Sequence, residues 1–268
     1  MRMPLQKHRD AMEDLYRRYN RMEYVHPDPL EFVHRYADSP DREVVALVAA
    51  CLAYGRVAQI LKSVAAVLDR LGPHPAEYLR GADQADLRRQ LASFRHRFAS
   101  GQNLSALLLA ARRAILDFGS LRGCFEAGMK DSDETVLPAL SSFVRRLRGA
   151  SGGACGHLLP AVEKGSACKR LNLLLRWMVR RDAVDPGGWD EVSPSRLLVP
   201  LDTHMHRLGL AMGLTRRRSA DMRTVMEVTA AFKRISPDDP VRYDFVLTRP
   251  GIHGRRDVRA FLAGREGL

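Results

Sequence analysis

An all-α fold is what this sequence predicts, on three grounds. Apolar residues recur at helical spacing in segment after segment. Those segments are bounded by capping residues at their starts and by Gly or Gly-Pro at their ends. Alternating β-branched and aromatic patterns are nearly absent, and no internal repeat period is visible.

Taken in order, segment 43–54 (EVVALVAACLAY) is apolar on almost every side, which predicts a buried central helix. Ser39-Pro40-Asp41 marks its start, with Glu43 expected in the first turn facing the positive helix end. Segment 57–71 is amphipathic and stops at Gly72-Pro73. Segment 104–118 is expected to begin after Asn103 as cap and to end at Gly119. In 134–148, Leu137, Leu140, Phe143, Val144 and Leu147 form one apolar stripe. The run 151–156 (SGGACG) has no Lys-Ser/Thr after its glycines, so it is no phosphate-binding loop and is expected to be a flexible join. Beyond it the pattern gives a helix 166–180 and a polar, Pro/Gly-rich stretch 182–196. Helices 203–212, 219–233 and 256–263 follow.

With 268 residues and 46% hydrophobic content, the chain can bury one large core or two lobes. It contains no apolar run of the roughly 18 residues a membrane helix needs. The first twenty residues lack the apolar core of a signal peptide. Cys51, Cys124, Cys155 and Cys168 form no C-x-x-C pair, which argues against a disulfide framework and a zinc site. The reducing cytoplasm is the expected compartment, with no metal and no cofactor. A net charge of +12 points to a polyanionic partner, although an Arg-rich chain from a GC-rich genome would be basic for that reason alone. Only six of the 43 basic residues are lysines, and a lysine, unlike an arginine, can become a neutral nucleophile.

Lys169 is one of those six. With Ser166 expected as N-cap, Lys169 falls in the first turn of the 166–180 helix, where the helix dipole and the apolar neighbours favour the free amine over the ammonium. Such an amine can attack a sugar carbon; a solvated surface lysine is the plain alternative. Asp202 lies just before a helix, where it is expected to cap and therefore to stay fixed and ionised. A fixed carboxylate can also stabilise a positive charge developing nearby. His204 and His206 are two apart, so they diverge on a helix and are not read as metal ligands. Trp177 and Trp189 are read as core residues with base stacking as the alternative. Tyr54-Gly55-Arg56 breaks the buried helix and could present a ring and a cation at its tip.

These residues carry a resemblance. Over residues 40–255 the chain resembles the helix-hairpin-helix DNA glycosylase superfamily. Lys169-Arg170-Leu171-Asn172 is similar to the K-x-x-N of its bifunctional members, and Leu201-Asp202-Thr203-His204 to the superfamily's VDTH. Residues 41–60 resemble the segment that supplies the DNA wedge, and Tyr243–Leu247 a later core helix. The S-x-C-K-R-L-N and P-L-D-T-H runs are most similar to an uncharacterised bacterial family, and the long 169–202 spacing resembles archaeal 8-oxoguanine glycosylases. The hairpin departs from L-P-G-V-G, reading Leu159-Pro160-Ala161-Val162-Glu163-Lys164-Gly165. The last cysteine is Cys168, so the C-terminal iron–sulfur cluster of some relatives cannot be built.

The resemblance implies a two-lobed helical fold with the active site in the cleft, lobe A over about 41–150 and lobe B over 1–40 plus 151–268. It implies a monomeric, nucleoid-associated enzyme that excises a damaged base, 8-oxoguanine in first place, from double-stranded DNA, and then acts as an AP lyase. Lys169 would be the Schiff-base nucleophile and Asp202 its catalytic carboxylate. Tyr54, Arg56, Gln59, Lys164, Arg170 and Arg207 would contact DNA, with the Arg216-Arg217-Arg218 run as a further candidate. The alternatives are a monofunctional alkylpurine glycosylase and a non-catalytic DNA-binding scaffold.

Overall fold

The computed structural model describes residues 5–37 and 39–249, and there the chain is helical. Among the described residues there are thirteen α-helices, and the only sheet is a two-stranded antiparallel ribbon, Arg95–His96 with Ala99–Ser100. No helix among them is long and apolar enough to cross a membrane. The helix expected over 256–263 lies outside the described residues.

Two compact units divide the chain: an inner one, His26–Lys164, and an outer one made of Met1–Val25 and Gly165–Leu268. The inner unit thus extends beyond the expected 41–150 at both ends, for a packing reason. The short helix Leu30–Val33 lies against Ser39–Leu52, and the turn Val162–Lys164 lies against Leu137–Ala150, so both flanking segments stay with the inner unit.

Ser39–Leu52 is the centre of the inner unit. Every side chain from Val44 to Leu52 is inaccessible to solvent, because four helices (Leu30–Val33, Val57–Leu71, Pro75–Gly81 and Leu121–Glu126) pack around it. Its all-round hydrophobicity follows from that position. The acid in its first turn is Asp41; Glu43 sits one turn on, buried, and accepts N–H bonds from Leu121 (2.8 Å) and Arg122 (3.2 Å). The expected dipole partner of its own helix instead satisfies the open N–H groups of another.

The helix Gly101–Phe118 begins three residues before the expected start. Ser100 is its cap, and Asn103 closes the capping box from the third position. Gly101 is obligatory, since a Cβ there would lie 1.8 Å from the Leu91 carbonyl oxygen. The Asn103 side chain also donates to the Ala154 carbonyl (2.9 Å), and Arg148 donates to that of Leu159 (2.6 Å). The glycine-rich run 151–156 is therefore pinned at several points and is not a free join.

In the outer unit, helices Leu5–Tyr19 and Asp244–Arg249 pack together. Glu13 accepts from the Tyr243 hydroxyl and from Arg242 (3.2 Å), whose guanidinium stacks 3.9 Å from the Tyr16 ring centroid. Trp177 and Trp189 are fully buried, which removes the base-stacking alternative for both.

Candidate functional site

The helix that carries the candidate lysine starts at Lys169 and runs to Val179. Ser166 is not its cap. Instead Ser166 bridges Asp221, Gly165 accepts the Met222 N–H (2.9 Å), and the Ser166 hydroxyl accepts the Cys168 N–H (3.3 Å). The segment before the lysine is thus strapped to the start of the helix Met222–Lys233. The cap position is Cys168, held buried in the left-handed region at φ 47°, ψ 35°. A non-glycine residue there stores about 1 kcal/mol or more, and such strain clusters at functional sites. One turn on, Asn172 is buried and donates to the Ala167 carbonyl (3.2 Å), while its Oδ1 has no partner among the described residues.

Asp202 caps Thr203–Ala211 as expected, its Oδ1 accepting the Met205 N–H at 2.8 Å. Its other oxygen, Oδ2, lies 3.8 Å from Lys169 Nζ. The fold therefore brings together the two residues that the sequence singles out, 33 positions apart, each at the N-terminus of a different helix. The separation is an ion-pair distance and exceeds a hydrogen bond. Lys169 and Asp202 side chains keep 31% and 39% of their surface open, so a large substrate can reach both.

Beneath the pair lies a network that the sequence reading did not find. Arg176 and Arg180, on the same face as each other and each only 4% exposed, converge on the fully enclosed Asp185. Arg176 also binds Asp244, and Arg180 binds Asp182 (2.8 Å) and Asp239 (2.9 Å). Tyr16 donates to Asp182 at 2.8 Å. Burial pushes the Asp244 and Asp185 carboxyls above the usual range despite their arginines. For Asp182 burial acts upward too, but Arg180 and the N–H groups of Val184 and Asp185 hold it below that range. The charges of Asp202 and Lys169 reach Asp244, so the network is the electrostatic floor of the site. Two arginines four apart inside an apolar helix were the available signal.

The remaining candidates divide between the units. Arg170 and Arg207 belong to the outer unit, Arg170 half-buried and Arg207 exposed. In the adjoining loop Arg216 and Arg218 are exposed, whereas Arg217 binds Asp221 (3.0 Å) and Thr224 (3.1 Å) and serves the local fold. His206 is buried against the Arg217 carbonyl (2.8 Å), and no cluster of metal-binding side chains occurs among the described residues.

Tyr54, Arg56, Gln59 and Lys164 belong to the inner unit, the last three exposed. Tyr54 is not a free ring at a helix tip. Its hydroxyl donates to the His96 carbonyl (2.9 Å) and meets His157 Nε2 (2.9 Å), and its ring packs edge-on against both imidazoles. Such a residue braces the ribbon 95–100 and cannot swing out without breaking those contacts. The exposed aromatic of this cluster is Phe98, 76% open at the ribbon's turn. Arg97 beside it sits at φ 52° with its guanidinium 5.4 Å from the Phe98 ring centroid. Strands of two residues leave no alternation to read, so Phe98 escaped the sequence analysis.

An all-α protein with a lysine–carboxylate pair mounted on two helix N-termini is the class that fold and site define. The chain belongs to the family described as "Protein of unknown function (DUF2400)", whose profile matches residues 28–253. No curated protein and no solved structure matches the chain.

Proposed function

We propose that the chain is a DNA glycosylase of the helix-hairpin-helix type with an associated AP-lyase step, acting on an oxidised purine in double-stranded DNA. The observation that carries this reading is the Lys169–Asp202 pair: a nucleophile and a fixed carboxylate 3.8 Å apart, both open to a macromolecular substrate. A base stacked in a duplex shields its C1′, so the nucleotide must first be rotated out. The Lys169 amine then forms a bond to C1′ as the glycosidic bond breaks and its electron pair leaves with the base. Asp202, held by its own cap bond, stabilises the positive charge on the sugar and takes the proton that Nζ sheds. Ring opening gives a Schiff base, and loss of a C2′ proton expels the 3′ phosphate.

The net charge of +12 supports a phosphate-bearing partner, with Arg170, Arg207, Arg216 and Arg218 as candidate cations in the same unit as the pair. The four cysteines are free and buried, which fits work in the reducing cytoplasm, on the nucleoid.

Borohydride reduction in the presence of duplexes carrying 8-oxoguanine or an abasic site tests the reading. The wild-type chain should become covalently attached to DNA and Lys169→Gln should not. Base release without attachment would point to the monofunctional alternative, with Asp202 directing water. Binding without release of any base would leave a non-catalytic scaffold.

A further inference from the structure

The inner unit carries a half-open groove of about 1200 Å³ along the helix Gly101–Phe118, flanked by Gln84–Leu91 and Leu137–Ala150. Sites for small ligands usually span about 300–1,000 Å³ and enclose them. This one is larger and open, which suits a segment of polymer. Its apolar lining is aliphatic and includes Ala106, Leu109, Ala110 and Ala150. Around it stand five arginines, Arg88, Arg95, Arg112, Arg113 and Arg146, against a single acid, Asp117.

Among the described residues only one of those charges is answered by an ion pair, that of Arg113 with Asp117 at 2.7 Å. Arg95 and Arg146 donate to backbone carbonyls, which orient them without neutralising them. The Nε of Arg112 is shut off from solvent and meets no acceptor among the described residues. A charged donor left without an acceptor is costly.

We propose that this groove docks an acidic amphipathic helix from a partner protein. Its apolar side chains would lie against the alanine–leucine lining, and its carboxylates would meet the arginine rim. A nucleic-acid strand fits less well, because base stacking needs open aromatic faces. Among the described residues the only aromatic lining the groove is Phe118, and the Arg146 guanidinium occupies one of its faces at 4.8 Å. The chain's own residues 250–268 are unsuited by sign, carrying Arg255, Arg256, Arg259 and Arg265 against Asp257 and Glu266.

The test is selection of phage-displayed random peptides on the full chain. Affinities of the recovered peptides are then measured on wild type, Arg112→Gln and the double variant Arg88→Glu/Arg113→Glu. The selected peptides should combine Asp or Glu with aliphatic residues at helical spacing. They should bind at least tenfold more weakly to both variants and more weakly as salt rises. Arg88→Glu alone, on an exposed helix surface, serves if the double variant does not fold. Selected peptides without acids, or binding indifferent to these substitutions, would overturn the proposal. So would a (dT)15 strand whose own affinity falls tenfold in the same variants, which would make the occupant a nucleic acid. None of these readouts depends on Lys169 or on base excision.

Discussion

The two ends of the helix Lys169–Val179 treat positive charge in opposite ways. At its start Lys169 faces Asp202 across 3.8 Å with about a third of each side chain open to solvent. Toward its end Arg176, and Arg180 just beyond, are sealed from solvent and hydrogen-bonded into four carboxylates. A loose exposed pair is worth about 0–1 kcal/mol, whereas removing one partner of a buried network costs about 3–5 kcal/mol. Stability is therefore concentrated at the sealed end of the helix, and the open end contributes little to it. The rigid end fixes the helix axis, and that in turn fixes where the lysine stands.

Breaking the sealed end should give the largest effect. Arg176→Leu leaves Asp185 and Asp244 short of a partner, and urea unfolding should show a loss of about 3–5 kcal/mol. A loss below about 1 kcal/mol would mean that the network is replaceable and the contrast is false. At the open end, Asp202→Ala should cost about 1 kcal/mol through the lost cap, and Asp202→Asn only a few tenths. Both should nevertheless lower base excision by orders of magnitude, because the charge is needed as the transition state forms. Normal turnover by Asp202→Asn would reduce Asp202 to a cap. Lys169→Gln should change stability by less than about 1 kcal/mol while abolishing borohydride attachment.

A titration sharpens the contrast. Burial, with the Asp182 charge and hydrogen bond adding to it, pushes the Tyr16 hydroxyl up to about 12. A group whose folded pKa is raised adds stability that is complete below its unfolded value, near 10, and that drains away as pH rises through the folded one. Stability should therefore fall between about pH 10 and 12, and Tyr16→Phe should flatten that limb in a pH series of thermal melts. The smallest stability effect belongs to Phe98→Ala, since an exposed ring supports little of the fold. A loss above about 0.5 kcal/mol in urea unfolding would show that the ring packs against the fold.

What could be read from the sequence was local. The helix Val57–Leu71 appears at the predicted residues because its apolar stripe and its Gly72 stop lie within one segment. Asp202 is legible as a cap for the same reason. Lys169 and Asp202 were singled out separately by residue type and helix position, but their approach to 3.8 Å belongs to the tertiary fold. Cys168 hides its left-handed backbone, since nothing in the letters Ala-Cys-Lys demands it and glycine or asparagine would be expected there. The partners of Arg176 are equally hidden, with Asp244 lying 68 positions away. Tyr54 misled for a related reason: a ring at a helix end looks available until His96 and His157, distant in sequence, close on it.

The outer unit is discontinuous: its described parts are residues 5–25 and 165–249, with the whole inner unit between them. Glu13 meets Arg242 and Tyr243 across some 230 positions, and Tyr16 meets Asp182 across 166. During synthesis the inner unit can close as soon as its own residues have left the ribosome, while the first helix waits with its apolar face uncovered until the final third arrives. The lysine and aspartate thus acquire their shared platform last. A polypeptide released early, before Arg242, would contain Lys169, Asp202 and a finished inner unit yet lack the contacts that hold the platform together. Synthesis past Arg242 is thus the step that completes the support of the Lys169–Asp202 pair.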